Sequence, residues 1–132
     1  MDQKRLGEQG VQAAYRDTSA SCSYTIVRPG GLEEPKKNEV LGPSALEITQ
    51  GDVLAGIVSR ADVAQVCVEL AASTAPNLRN TALEVYYADS TVPVAGQFKS
   101  MMNNPEVTPR LHGDTYAALL EGVRLNVDYY GA

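Results

Sequence analysis

The 132-residue chain has no tryptophan, one phenylalanine, one histidine and two cysteines. With so few large aromatic residues, its core must be built mainly from aliphatic side chains, supplemented by the seven tyrosines. The single histidine, His112, and the absence of a closely spaced cysteine pair argue against a zinc site, so we expect no bound metal. His112 stands among proline, arginine and glycine residues, which is typical of a solvated loop position.

Positive charge and long apolar runs are also scarce. The net charge is −5 and the basic residues are scattered, which argues against a nucleic-acid-binding surface. No apolar run approaches the roughly 18 residues of a membrane-spanning helix, and no apolar segment follows Met1 as in a secretory signal. Cys22 and Cys67 each lie in an apolar segment, so we expect buried free thiols rather than a disulfide, as in a reducing compartment.

Helix and strand signals alternate along the chain, which indicates a single α/β domain over residues 1–132. The predicted helices are residues 2–16, a segment from Ser59 to before Pro76, residues 97–102 and a segment capped by Asp114. The predicted strands are residues 22–28, 46–49, 53–58 and 81–88, of which the middle two alternatively form one strand and an irregular arm. Because a helix connects the first predicted strand to the last, we expect these two to pair in parallel.

The helix that follows Ser59 is apolar around most of its circumference, so we expect it to be packed on more than one side. Ser59 and Asp62 have the spacing of a capping box, and we interpret Asp62 as a capping group rather than a catalytic base. Arg60 is interpreted as a bridge to a neighbouring loop, with contact to a ligand as the alternative. Tyr86 and Tyr87 should place one ring on each face of their strand, in packing roles.

Residues 24–32 carry the most specific functional signal. Their apolar, β-branched run stops at Pro29, Gly30 and Gly31, which is typical of a buried strand that ends in a tight loop. Glycines at a strand end let the backbone approach a flat group closely, such as a cofactor ring. No Gly-x-Gly-x-x-Gly or phosphate-loop motif follows a strand, so the sequence contains no recognisable pyrophosphate site.

A resemblance to a known family is carried, in order, by Lys4-Arg5-Leu6-Gly7-Glu8, Tyr24-Thr25-Ile26-Val27-Arg28-Pro29-Gly30-Gly31-Leu32 and Ser59-Arg60-Ala61-Asp62-Val63-Ala64. The chain resembles the C-terminal half of the atypical short-chain dehydrogenase/reductase-like proteins, which are NAD(P)-binding and NmrA-like, and most of all their plant and algal plastid members. This resemblance implies the C-terminal half of a Rossmann-like parallel sheet with flanking helices. It also implies that the N-terminal, phosphate-binding half of that domain is absent from the chain.

The same resemblance implies a site. Lys4 would be the active-site lysine that holds the nicotinamide ribose, and Pro29, Gly30, Gly31 and Leu32 would line the nicotinamide. NAD(P) is therefore the implied cofactor, although we do not expect this chain to bind it alone or to catalyse a reaction alone. The implied location is the chloroplast, with the cytoplasm as the alternative.

In such a half sheet, the strand at residues 22–28 has an unpaired edge and the helices beside it show apolar faces. We therefore expect a protein partner, or the missing N-terminal half, to cover this edge. The first expected function is that of the C-terminal part of an NAD(P)-binding oxidoreductase-like protein. The alternative is a non-catalytic structural subunit that docks through its open sheet edge on a larger photosynthetic or respiratory complex.

Overall fold

The computed structural model describes residues 3–16, 22–33, 38–51, 53–94 and 110–125 and has a mixed α/β fold. Its helices are α1 (Gln3–Arg16), α2 (Arg60–Ala72) and α3 (Tyr116–Leu120). Its strands are β1 (Thr25–Pro29), β2 (Gly31–Leu32), β3 (Leu46–Thr49), β4 (Leu54–Ala55), β5 (Ile57–Val58), β6 (Thr81–Tyr87) and β7 (Val92–Pro93). Short 3₁₀ turns lie at Pro43–Ala45, Pro76–Leu78 and Ala88–Ser90. The helix predicted at residues 97–102 falls outside the described residues.

The main sheet has the strand order β1-β6-β3, and two small pairs join β2 to β5 and β4 to β7. β1 runs parallel to β6, from Thr25 opposite Thr81 to Pro29 opposite Val85, as predicted. β3 pairs with the other edge of β6 in the antiparallel direction. The α/β class is thus confirmed, but the sheet is mixed, and the all-parallel arrangement that we expected is not observed among the described strands.

The two faces of this sheet differ in chemistry because successive side chains of a strand point to opposite faces. One face is apolar and packs under α2 and α3; its buried residues include Leu46, Ile48, Leu83, Val85 and Tyr87 from the strands, with Val66 and Leu119 from the helices. The other face carries Arg28, Glu47, Thr49 and Glu84. Tyr86 leaves the strand on that second face and packs with Val53 and Leu54, so the two adjacent tyrosines do lie on opposite faces.

Helix α2 begins as its sequence predicts, because the Ser59 side chain accepts a hydrogen bond from the Asp62 amide. The expectation that α2 is packed on more than one side is wrong. Only Asp62 and Val66 are buried in this helix, and Val68 is 59% exposed. The outward positions are occupied by alanine, cysteine and valine, so the sequence shows no polar face that would mark the solvent side.

Both cysteines are exposed, which corrects the expectation of buried thiols, and no disulfide joins Cys22 to Cys67. Cys67 belongs to the outward apolar side of α2, and Cys22 precedes β1, so an apolar neighbourhood in sequence is no guide to burial here. Helix α3 is capped one residue later than predicted, since Thr115 rather than Asp114 accepts from the Ala118 amide. Within the described ranges, no helix is long and apolar enough to cross a membrane.

Candidate functional site

The loop at the carboxyl end of β1 is held closely against the chain behind it. The Gly30 amide donates to the Val85 carbonyl at 3.0 Å, and the Gly31 amide donates to the Gly56 carbonyl at 2.8 Å. A Cβ atom on Gly30 would lie 2.6 Å from the Gly56 oxygen and 2.6 Å from the Tyr86 ring. The close approach that Gly30 permits is therefore an internal one, to Tyr86 and Gly56, and the turn needs this glycine whether or not a ligand binds.

The other predicted loop residues lie at the surface. Pro29, Gly31 and Leu32 are exposed, and a Cβ atom on Gly31 would meet only ordinary contacts, the nearest 3.6 Å away. Leu32 pairs with Val58 in the short parallel ladder of β2 and β5. This loop thus presents one apolar side chain, one proline ring and open backbone to the solvent, with Gly30 behind them.

Helix α1 runs antiparallel to β1 and brings Lys4 to the same end of the sheet. The Tyr15 ring contacts the Tyr24 ring at a centroid distance of 5.9 Å, and Glu8, which lies about two helical turns earlier on the same face, binds Arg28. Lys4 lies one turn before Glu8 on the same face, about 6 Å further along the helix axis. The exposed Lys4 therefore lies toward the carboxyl end of β1, where the loop begins.

A first ionic network attaches α1 to the polar face of the sheet. Arg28 donates to both carboxylate oxygens of Glu8, with Nη2 to Oε2 at 2.6 Å and Nε to Oε1 at 2.9 Å. Its Nη1 also donates to the buried Glu84 at 3.2 Å, since the two residues are direct neighbours in the parallel register. The sequence interpretation gave Arg28 no role. The available signal was that β1 and β6 are otherwise uncharged and carry one residue of opposite charge each, Arg28 and Glu84.

A second network is centred on Glu47 of β3, which is 1% exposed. Arg110 donates to both of its oxygens at 3.0 and 3.1 Å, and His112 Nε2 lies 2.6 Å from Oε2. Leu111 between them exchanges backbone hydrogen bonds with Ile48, which holds the 110–112 segment beside β3. His112 is therefore half-exposed but oriented by a buried carboxylate, and it is not the simple solvated loop residue that we expected.

Asp62 is buried and fully engaged in holding the fold. It accepts from the backbone amides of Leu41 and Gly42 at 3.0 and 3.1 Å and from the hydroxyls of Ser59 and Tyr87. Burial, followed by the hydrogen bond to Asp62, raises the pKa of the Tyr87 hydroxyl above its ordinary value. The observed cap of α2 is the Ser59 side chain, whereas the Asp62 carboxylate holds that serine hydroxyl and anchors the preceding loop, which is a structural role rather than that of a catalytic base.

Arg60 bridges to a loop, as interpreted, because its Nη1 donates to the Glu33 carbonyl at 2.5 Å. In the described part of the chain, no group of three or more histidine, cysteine, aspartate or glutamate side chains is arranged to hold a metal ion. The carboxyl end of β1 therefore presents the Lys4 side chain, open backbone and apolar surface, with the Arg28 and Glu47 ionic networks beside it on the polar face of the sheet.

Comparison with known proteins identifies no relative: no protein-family model, no curated protein and no solved structure matches this chain. Its function must therefore be inferred from its own residues.

Proposed function

We propose that this chain forms the nicotinamide-facing half of an NAD(P)-binding, oxidoreductase-like fold, similar to the C-terminal half of the atypical short-chain dehydrogenase/reductase-like proteins. The observation that carries the proposal is the convergence of Lys4 and the loop of residues 29–32 at the carboxyl end of β1. In α/β sheets, ligands bind in the crevice outside the carboxyl ends of parallel strands. A chloroplast location belongs to the same proposal.

The residues present suit the nicotinamide end of a dinucleotide. A lysine ammonium can donate to ribose hydroxyls, and Lys4 lies on the side of α1 that carries Glu8, toward the carboxyl end of β1. Pro29, Gly31 and Leu32 offer exposed apolar surface and backbone against which a flat ring can lie. When bound, the nicotinamide supplies hydride chemistry, whereas the protein supplies orientation.

The pyrophosphate end has no counterpart among the described residues. A helix N-terminus binds phosphate through its unsatisfied backbone N–H groups. At the start of α2 these groups are already used, because the Asn38 side chain accepts from the Ala61 amide at 2.6 Å and Ser59 accepts from the Asp62 amide at 3.1 Å. We therefore expect the chain alone to bind a whole dinucleotide weakly or not at all.

Two titrations test this proposal. Isothermal titration of the chain with NADPH should give no binding in the micromolar range, and micromolar affinity would show that no phosphate-binding half is required. Nicotinamide mononucleotide, which lacks the pyrophosphate linkage, should shift the NMR amide signals of Gly31 and Leu32 at millimolar concentration. Lys4→Ala should abolish these shifts.

The matched control is Arg79→Ala, which also removes one positive charge but lies at the amino end of β6. It should leave the Gly31 and Leu32 shifts unchanged. Shifts that are absent in the wild type, or that persist in Lys4→Ala, would contradict a nicotinamide site at this end of the sheet.

The second candidate function is a non-catalytic structural subunit that docks on a larger complex, photosynthetic or respiratory, through its open sheet edge. The observation that favours it is the position of β1 at the edge of the sheet, beside the exposed apolar side of α2. Size-exclusion chromatography separates the two candidates, because a well-behaved monomer of the 14.1 kDa chain mass would count against a docking subunit.

A further inference from the structure

The outer edge of β1 presents a short row of backbone groups that no other described strand pairs with. Gly30 donates to Val85, and in a parallel pair successive residues point their backbone groups alternately toward and away from the neighbouring strand. Ile26 and Arg28 therefore bond to β6, whereas Thr25, Val27 and Pro29 face outward. Among the described strands none pairs with this edge. Proline has no N–H group, so the outward donors are the amides of Thr25 and Val27.

We propose that a second copy of this chain pairs with this edge, antiparallel, about a two-fold axis that passes beside Val27. In that register Val27 lies opposite the second copy's Val27, and Thr25 lies opposite its Pro29. The Val27 amides and carbonyls of the two copies bond reciprocally, and each Thr25 amide donates to the other copy's Pro29 carbonyl. Every outward N–H group of both edges then has an acceptor, and the missing N–H of Pro29 leaves no donor unmatched.

The surfaces beside this edge fit the same symmetry. A two-fold axis normal to the sheet leaves the α2 helices of both copies on one face and the α1 helices on the other. Along β1, on the α2 side, runs a groove of about 680 Å³ whose walls include Val27, Cys67 and Leu70. Beside this groove lies the exposed side of α2, which carries Val68. A second copy would cover both surfaces.

Natural edge strands are protected from pairing by charged side chains, bulges or a covering element. The outward residues Thr25, Val27 and Pro29 are uncharged, and Arg28 is drawn to the α1 face by its bonds to Glu8 and Glu84. No described strand gives this edge the usual protection, and its pattern of partial charges is complementary to itself. The inference does not depend on the nicotinamide site, since it concerns the chain in the absence of any other partner.

Sedimentation velocity across a range of protein concentrations tests the pairing. The wild type should form a species of twice the 14.1 kDa chain mass. Val27→Pro removes the central N–H group without touching a bond to β6, and we expect it to be monomeric. Val27→Ala is the matched control, because it also removes the valine side chain but keeps the amide, and it should remain dimeric. Circular dichroism establishes that each variant is folded.

Cross-linking gives a second readout that needs no substitution in β1. Cys67 lines the groove beside the axis, so a short bismaleimide should link two chains of the Cys22→Ser variant. Cys22 lies five residues from Val27, which places the two copies of Cys22 about 33 Å apart, so the Cys67→Ser variant should not be linked.

A wild type that is monomeric at all concentrations, a Val27→Pro variant that stays dimeric, or cross-linking through Cys22 in preference to Cys67 would overturn the proposal. So would open-ended association into larger species, because a two-fold edge pairing closes at two copies. A dimer with intact Lys4-dependent nicotinamide mononucleotide binding would support both proposals, and loss of either signal alone identifies which of them fails.

Discussion

Replacing Asp62 by alanine should detach the loop before β3 from the start of α2. The backbone amides of Leu41 and Gly42 and the hydroxyl of Tyr87 all donate to this carboxylate. Hydrogen bonds to a charged group contribute about 1.5–3 kcal/mol each, and a buried donor left without an acceptor costs a similar amount. The Tyr87 hydroxyl retains the Glu39 carbonyl at 3.4 Å, and Leu41 is exposed, so these losses do not add fully.

We expect Asp62→Ala to lower the free energy of unfolding by about 3 kcal/mol, and Asp62→Asn, which keeps one acceptor oxygen, by about half as much. The chain has no tryptophan, so urea unfolding is best followed by circular dichroism. Protein concentration must be held constant, because association contributes to the apparent stability.

Asp114→Ala is the matched control, since Asp114 is the exposed aspartate that the sequence predicts, wrongly, to cap α3. Its free energy of unfolding should change by less than about 0.5 kcal/mol. A loss in Asp62→Ala below about 1 kcal/mol, or no larger than in the control, would refute the anchoring role of Asp62.

Two further predictions concern the turn and the core. Gly30→Ala should destabilise the fold by about 1–3 kcal/mol, because its Cβ would collide with a backbone oxygen and the Tyr86 ring, whereas Gly31→Ala should be nearly neutral; equal melting temperatures would contradict the internal role of Gly30. The raised pKa of Tyr87 means that the folded state holds this proton more tightly than the unfolded state. Its stability contribution is therefore complete below pH 10 and declines as the pH rises through the folded-state pKa. Tyr87→Phe should flatten this alkaline decline, and identical slopes in both proteins would contradict it.

Much of the secondary structure was predictable because its signals are local. The Ser59 cap and the β-branched run that ends at Pro29 each define an element boundary from neighbouring residues alone. Residues 81–88 likewise read as a strand from their own composition, and the intervening helix made the parallel pairing of β1 with β6 the expected arrangement. These predictions are confirmed by the described elements.

The contacts of the site were predictable only in part. Lys4 and residues 29–32 were identified through a resemblance, and the structure brings them to one end of the sheet. The pairing of Glu47 with Arg110 and His112 was missed, because these residues are more than sixty positions apart in the chain. Only the antiparallel pairing of β3 and the bridge between Ile48 and Leu111 place them together.

The sequence by itself determined the type and approximate position of the longer elements, which strand is followed by a glycine turn, and that the core is aliphatic. Local hydrogen bonding and side-chain entropy act within a few residues, so these features need no knowledge of the rest of the chain. The tertiary structure alone decided that one side of the apolar helix α2 remains exposed and that both cysteines lie at the surface. It also decided that Gly30 makes an internal contact and that β1 is an edge strand of the sheet formed by the described residues. Burial and strand pairing depend on which distant segments come into contact. The hydropathy of a segment shows only that its burial would be favourable, and not which of its side chains are buried.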